Sequence, residues 1–201
     1  MFPIKQYLTT FTLTDLQVEL LDRYLQLLSK WNTAYNLTAI TDPDEMVIKH
    51  LADSLVLCDY LKEGTVLDIG SGAGLPGIPL AIALPDVQFT LLDSSQKRCD
   101  FLSQIIYDLK LKNVKVVNSR AEKFQSDIPF DYVTARAVAP VLELVKMSEH
   151  NLKADGLFLF LKGKNPSSEC EDIKCEYEII PLVVPHLNEN RNLVKVKRST
   201  F

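Results

Sequence analysis

Four glycines fall within eight positions in the stretch Leu67-Asp68-Ile69-Gly70-Ser71-Gly72-Ala73-Gly74-Leu75-Pro76-Gly77. An apolar run ending in Asp68-Ile69 precedes them, and a helix-forming run, Ile78 to Leu84, follows. Strand, glycine turn and helix in that order let a ligand approach the backbone at the carboxyl end of a strand, because glycine carries no Cβ. A purely structural turn needs neither so many glycines nor an acid at the end of the strand. The motif therefore constrains the chain to an α/β sheet built around a ligand.

The rest of the chain fits that constraint. Thr65 to Ile69, Phe89 to Leu92, Val114 to Val117, Tyr132 to Ala135 and Leu157 to Leu161 are short apolar runs that predict buried strands. Ile78 to Leu84, Lys97 to Leu111 and Val141 to Leu152 between them predict helices. Strands alternating with helices indicate a parallel sheet covered on both faces. The ending differs: Ile179 to Val184 and Leu193 to Lys197 flank the polar turn Asn188 to Asn192, which predicts an antiparallel hairpin at the sheet edge. The expected architecture is a Rossmann-like sheet of seven strands, mostly parallel, over residues 63–201.

Residues 1–62 predict a helical segment packed on that core. Leu20, Tyr24, Leu28, Trp31 and Tyr35 form one apolar stripe. A second helix starts at Asp42, a cap, with Pro43 at the first position and Glu45 three residues after the cap. Val47, Leu51, Leu55, Cys58 and Leu61 carry its expected buried face.

Charge and composition exclude several classes. Lys plus Arg is 22 and Asp plus Glu is 26, a formal charge of −4, so uniform wrapping in nucleic acid is not expected. Basic stretches do occur, at Ser95 to Lys123, at Lys162 and Lys164, and at Leu187 to Phe201. Solvated helix faces account for any single one of them, and together they would make a basic rim for phosphates. No apolar run reaches the roughly 18 residues of a membrane span, and Met1 to Thr14 lacks the pattern of a secretory signal. Cys58, Cys99, Cys170 and Cys175 include no CxxC pair and meet no zinc spacing. A reduced cytoplasmic setting and no metal are expected.

The ligand is read from the turn. Gly72 to Gly77 formally satisfies G-x-G-x-x-G, and Asp93 follows Gly72 by 21 residues, as in a dinucleotide site. Three features oppose a nicotinamide cofactor. Asp68 precedes Gly70 by two positions, where a carboxylate suits a cationic amino-acid portion. Pro76 and Pro79 remove N–H donors that a pyrophosphate wants. No second domain follows to hold a hydride acceptor. S-adenosylmethionine fits instead, with Asp93 accepting from the ribose hydroxyls. Asp93 also suits a helix cap before Ser94-Ser95, and both roles are compatible. After the third strand, a backbone N–H of Ala121 or Glu122 is placed to read the adenine, with a solvated start of a short helix as the alternative.

The loop after the fourth strand, Thr134 to Pro140, faces the methyl group in such an architecture. It holds no Asp, Asn or Glu but does hold Arg136. A target that is nucleophilic while neutral, such as guanine N7, needs no general base, only positioning. Arg136 suits guanine or phosphate, unless it pairs structurally with Asp131 or Glu143. Lys162, after the fifth strand, is a second candidate for positioning substrate. His50 and His150 sit in helical patterns and are expected to be structural.

Several segments together resemble one family. They are Lys30-Trp31-Asn32-Thr33-Ala34-Tyr35-Asn36-Leu37-Thr38, His50-Leu51-Ala52-Asp53-Ser54, the Asp68 to Pro79 stretch, Leu91-Leu92-Asp93-Ser94 with Lys97-Arg98, and Leu161-Lys162-Gly163. The chain resembles, over essentially its whole length, the bacterial small-subunit ribosomal RNA methyltransferase G family, also called glucose-inhibited division protein B. The resemblance implies a class I methyltransferase fold and methyl transfer from S-adenosylmethionine to N7 of one guanine in small-subunit ribosomal RNA. It places cofactor contacts at Gly70, Leu75, Ala121, Glu122 and Arg136, with Gly72 and Gly74 in the same turn and Asp68 and Asp93 matching the wider fold. The partner is the ribosomal RNA or the assembled small subunit, and the protein is expected to act as a monomer. The tail after Gly163, from Asn165-Pro166-Ser167-Ser168, departs from the pattern by being compact. Three alternatives remain: an oxidoreductase using the formal G-x-G-x-x-G match, a non-catalytic module that binds RNA or protein, and, closer in chemistry, a methyltransferase of a small molecule or a protein.

Overall fold

The computed structural model describes residues 1–163 and 166–198. Lys164, Asn165 and the end of the basic Leu187 to Phe201 stretch lie outside the described residues. Seven strands form one sheet in the order β3-β2-β1-β4-β5-β7-β6. They are β1 (Thr65–Ile69), β2 (Gln88–Asp93), β3 (Val114–Asn118), β4 (Phe130–Arg136), β5 (Leu152–Lys162), β6 (Tyr177–Leu182) and β7 (Arg191–Lys197). The first five run parallel. β7 pairs antiparallel with both β5 and β6, so the expected hairpin joins the sheet through its second strand.

The sheet reverses direction of growth between β1 and β4. Chain order runs outward through β2 and β3 on one side and through β5 on the other. The carboxyl ends of β1 and β4 are thus left side by side with no crossover above them, which is where open α/β sheets bind ligands. β5 is longer than its apolar run because it continues back through a bulge: Leu157 pairs with Tyr132 and Leu152 with Phe130, and residues 153–156 lie between them opposite Asp131. Lys153 is held there by Asp131 at 2.7 Å. The predicted helix to Leu152 stops at Ser148, and a tight turn, Glu149–Asn151, follows. Asn151 takes the amide of Ser126 and donates to Phe124 O, which pins that turn.

Helices cover both faces: α5 (Gly77–Ala83), α6 (Gln96–Leu109), α7 (Val141–Ser148) and the short α8 (Ser167–Cys170) follow β1, β2, β4 and β5. The N-terminal segment adds α1 (Ile4–Tyr7) and α2 (Asp15–Tyr35). Thr14 and Gln17 form a capping box at the start of α2. Gln17 also donates to the carbonyls of Ile82 and Ala83, which end α5. The buried face of α2 is Leu21, Tyr24, Leu25, Leu27 and Leu28, and each large apolar side chain there contributes roughly 1.5–3 kcal/mol. The predicted stripe runs along the rim of this face: Tyr24 and Leu28 are buried, Trp31 meets Phe101 edge-on at 5.7 Å, and Tyr35 is exposed. One hydrophobic core contains Leu21, Tyr24 and Leu28 together with Ile78, Leu91 and Phe101, so the N-terminal helices and this side of the sheet share it.

The second predicted helix is correct at its start and different beyond it. Asp42 caps Glu45 N–H at 3.0 Å, and Pro43 opens α3 (Pro43–Met46). The chain then widens into a π-helical segment, Val47–Ala52, before α4 (Asp53–Leu55) and a tight turn at Cys58–Tyr60. Val47, Leu51 and Leu55 keep their buried places. π segments recur at functional sites because the wider turn re-aims side chains. Here the segment and the residue after it carry Lys49, His50 and Asp53, all of which line a pocket at the end of β4.

Candidate active site

Beyond β1 the backbone folds back on itself through Gly70, Gly72 and Gly74, all at positive φ. A Cβ on Gly70 would lie 2.7 Å from Val138 Cγ2, and one on Gly74 would lie 2.6 Å from Ile78 Cγ1. The turn is therefore closed to side chains from both sides. Tyr24 on α2 donates to Ala73 O at 2.8 Å and fixes the turn from outside.

Asp68 lies beneath the turn, fully buried. One carboxylate oxygen accepts from Gly77 N–H at 3.2 Å, and the other from the Thr134 hydroxyl, also at 3.2 Å. Burial pushes its carboxyl up to about 7, against the lowering effect of these hydrogen bonds and of Arg136. Asp68 thus ties β1 to β4 and to the start of α5, and it does not reach the cavity wall. Gly72, Gly74 and Leu75 likewise shape the turn from behind, Leu75 as a buried core residue.

The cavity, of about 390 Å³, lies over the ends of β1, β2 and β4. Gly70, Asp93, Ala121 and Glu122 are brought together in its wall, joined by Arg98, Arg120, Val138 and Met147. Asp93 is almost fully buried at the end of β2. It accepts from Gly72 N–H at 2.9 Å and from Ser95 N–H at 2.8 Å, so it both closes the glycine turn and starts α6. Oδ2 also meets Arg98 Nη1 at 3.5 Å, whereas Oδ1 keeps a second lone pair for a ligand hydroxyl. A sulfonium nucleoside fits this wall: a close-packed glycine edge, a carboxylate fixed beside it by Gly72 N–H and Ser95 N–H, and a cavity that extends to Ala121 and Glu122.

Arg136 lies elsewhere. It lines a second pocket of about 470 Å³ with Lys162, and Ala137 lines both pockets. Ala137 has φ 55°, a left-handed conformation that costs a non-glycine residue about 1 kcal/mol or more and marks the junction as constrained. Arg136 pairs with neither Asp131 nor Glu143. Its partners are Asp53 at 2.9 Å and the carbonyl of Lys49 at 2.9 Å. Lys162 bonds Ala139 O and Glu169, each at 2.7 Å. His50 is buried in this wall, its Nε2 3.0 Å from Thr38 Oγ1. Burial, then the charge of Arg136, push its pKa down to about 4, so it is neutral at physiological pH. Thr38 is in turn held by Asn32 through a pair of 2.9 Å bonds. The Trp31 to Thr38 segment therefore packs on α6 and anchors the loop that seats His50.

Sequence reasoning assigned no role to Lys49, Asp53, Glu189 and Arg191, which line the second pocket. Asp53 lies in the family-like His50 to Ser54 segment, a signal that its residue type could matter, whereas the other three sit in ordinary helix and turn patterns. Among the described residues no cluster of His, Cys, Asp and Glu could hold a metal ion, and the four cysteines are free.

A parallel sheet reversing at β1 and β4, an antiparallel β7 and a glycine-lined nucleoside cavity define the class I S-adenosylmethionine-dependent methyltransferases. Solved structures share the fold at low identity. A SAM dependent methyltransferase from Aquifex aeolicus aligns with TM-score 0.60 and 18% identity, over 86% of this chain and 98% of that one. A precorrin-6y C5,15-methyltransferase from Geobacter metallireducens aligns with TM-score 0.56 and 17% identity, over 80% of this chain and 90% of that one. Within that class, residues 17–197 match the family model described as rRNA small subunit methyltransferase G, and the chain belongs to this family. Proteins named ribosomal RNA small subunit methyltransferase G are similar at high coverage. That of Shigella flexneri is 45% identical over 94% of this chain and 92% of its own length. That of Chromobacterium violaceum is 47% identical over 92% and 90%. The nicotinamide reading of the glycine motif is set aside by this membership.

Proposed function

We propose that the protein transfers a methyl group from S-adenosylmethionine to N7 of a specific guanine in small-subunit ribosomal RNA. The observation that carries the reading is the shared wall at Ala137: it lines both a cavity with Asp93 and Glu122 and a pocket with Arg136 and Lys162. The first suits a cationic nucleoside and the second suits RNA.

Bound in the first cavity, S-adenosylmethionine supplies a methyl group on a positively charged sulfur. Gly70 gives it a backbone edge to lie against, Asp93 accepts from its ribose hydroxyls, and Ala121 and Glu122 border its adenine. Asp68, Gly72, Gly74 and Leu75 act by holding the turn in shape. Arg136 and Lys162 position the RNA from the other side of Ala137. Guanine N7 carries an available lone pair in the neutral base, so no residue has to remove a proton before transfer. The pocket agrees with that demand: Asp53 is occupied by Arg136 and Arg191, Glu189 by Lys49 and Arg191, and His50 is buried with its ring neutral. Catalysis then rests on orientation and on exclusion of water.

The protein is further proposed to act as a monomer in the cytoplasm, on naked RNA or on the assembled small subunit, with residues 1–62 and 63–201 working as one unit through their shared core. No described helix is long and apolar enough to cross a membrane. The test is to incubate the protein and S-adenosylmethionine with small ribosomal subunits lacking the modification, digest the RNA, and measure 7-methylguanosine by mass spectrometry. Its formation is expected. Cofactor binding without any product would favour the non-catalytic RNA-binding module.

A further inference from the structure

The second pocket contains a device that methyl transfer alone does not explain. Asp53 is buried, and each of its oxygens takes a different arginine. Oδ2 accepts from Nη1 of Arg136 at 2.9 Å, and Oδ1 accepts from Nε of Arg191 at 2.7 Å. The two arginines lie 83 and 138 residues from Asp53 along the chain. Nη1 of Arg136 is completed by Lys49 O, and Nη1 of Arg191 by Glu189 and Asn190 O. Nε and Nη2 of Arg136, and Nη2 of Arg191, keep N–H donors with no protein partner among the described residues.

The cations differ in how far they are committed. Lys49 is paired with Glu45 at 3.0 Å and Lys162 with Glu169 at 2.7 Å, whereas Arg136 and Arg191 share the one buried carboxylate of Asp53. A buried carboxylate between two guanidiniums is a poor way to gain stability over apolar packing. It does fix the planes of two forks. Two oriented forks that share a single carboxylate and keep unpartnered N–H donors match a phosphate oxyanion. The guanine ring is the other candidate for such a fork, which on guanine most often spans O6 and N7. That pairing would occupy the very lone pair the reaction uses.

We propose that Arg136 and Arg191, aligned by Asp53 as a positioning residue, clamp a phosphodiester oxyanion of the RNA strand next to the target guanosine. The proposal rests on the RNA-methylating reading above. It divides the labour at the junction: the base is presented to the cofactor cavity past Ala137, and the strand is held by its backbone in the second pocket.

The test compares the full-length protein with Arg191→Ala and Arg191→Lys, on unmodified small subunits with S-adenosylmethionine, over a series of potassium chloride concentrations. Arg191→Ala is expected to raise KM for subunits about tenfold while kcat stays within about twofold. The slope of log KM against log salt becomes shallower by about one, as one lost phosphate contact requires. S-adenosylmethionine affinity stays at the parent value. Arg191→Lys keeps the slope but not the full affinity, because the charge remains and the fork is lost. A parent-like KM and salt slope in Arg191→Ala overturns the clamp. So does a parallel loss of S-adenosylmethionine affinity, which assigns Arg191 to the fold alone. Filter retention of subunits without turnover separates the two readings. A parent that forms no 7-methylguanosine yet binds with an Arg191-dependent slope refutes the methyl transfer and keeps the clamp. A parent that methylates with a slope indifferent to Arg191 does the reverse. Inorganic phosphate at constant ionic strength is the last probe: competition with subunits that Arg191→Ala abolishes supports the clamp, and phosphate binding that leaves subunit binding untouched assigns the pocket to free anions and overturns it.

Discussion

The glycine turn and the arginine pocket sit on either side of Ala137 and are built in opposite ways. The turn is largely local: Asp68 to Gly77 are consecutive, and backbone bonds such as those of Gly74 and Leu75 N–H to Ser71 O hold it, with Asp93 the main distant partner. The pocket is assembled from residues 53, 136 and 191, and charged side chains make its bonds. A local site needs residue types with unusual backbone freedom, which leave a signature in sequence. A site assembled from distant side chains uses common residue types and leaves none. The two also differ in what threatens them: the turn is broken by adding atoms, the pocket by removing a charge.

The largest expected effect is on the pocket. Asp53→Ala leaves two guanidiniums facing each other with little water access and is expected to cost about 3–5 kcal/mol of stability. Urea denaturation measures it. A loss under about 1 kcal/mol would show that the arginines reach solvent, and the contrast with the turn would weaken.

The turn is expected to respond to bulk. A Cβ at Gly77 would lie 2.3 Å from Leu91 Cδ2 and 2.8 Å from Asp68 Oδ2. Gly77→Ala therefore displaces the start of α5 and is expected to cost about 1–3 kcal/mol, with weakened S-adenosylmethionine binding. At Gly72 a Cβ meets only Gly70 O, at 3.7 Å. Gly72→Ala is expected to cost only its left-handed backbone, about 1 kcal/mol. Calorimetric unfolding of both variants tests whether close packing or backbone conformation governs the turn, and equal losses would reject the distinction.

Two buried groups, one from each region, set opposing dependences on pH. Asp68 under the turn has its pKa raised from 3.8 to about 7, so its stability contribution is full below pH 3.8 and is lost as pH rises toward 7. His50 in the pocket has its pKa lowered from 6.5 to about 4, so its contribution is present above pH 6.5 and is lost as pH falls toward 4. Each slope approaches about 1.4 kcal/mol per pH unit, and between about pH 4 and 6.5 they largely cancel. Asp68→Asn is expected to uncover a stability that rises with pH in this window, and His50→Gln one that falls. Denaturation midpoints read at half-unit steps check the signs; identical slopes in the two variants would refute the pairing.

The smallest effect concerns the strut between the N-terminal helices and the turn. Tyr24→Phe removes the buried bond to Ala73 O and is expected to cost about 1 kcal/mol. If S-adenosylmethionine affinity falls with it, the helical segment supports the cofactor cavity; unchanged affinity would confine α2 to packing.

Much of this was legible beforehand. Thr65 to Ile69 is legible to the residue, because its apolar residues sit between Gly64 before the strand and Gly70 after it. Asp42 and Pro43 identified a helix start because capping depends on neighbours in sequence. The extent of β5 is not legible: Lys153 and Asp155 do not look like strand residues, and only the pairing of Leu152 with Phe130 beyond the bulge carries the strand through them. The π-helical turn at Val47–Ala52 was also hidden, since its apolar positions fit an ordinary helix equally well.

The sequence by itself determined the alternating sheet, the glycine turn, the acid at the end of β2 and, through its family-like segments, the chemistry. Those features depend on residues close along the chain, where backbone geometry and residue type are tightly coupled. Only the tertiary structure decided that Asp68 braces the turn from below the cavity wall, that Arg136 faces a second pocket, and that Asp53 joins it to Arg191. Electrostatic partners separated by 83 and 138 residues are chosen by how the sheet and helices pack, and no spacing along the chain records that choice.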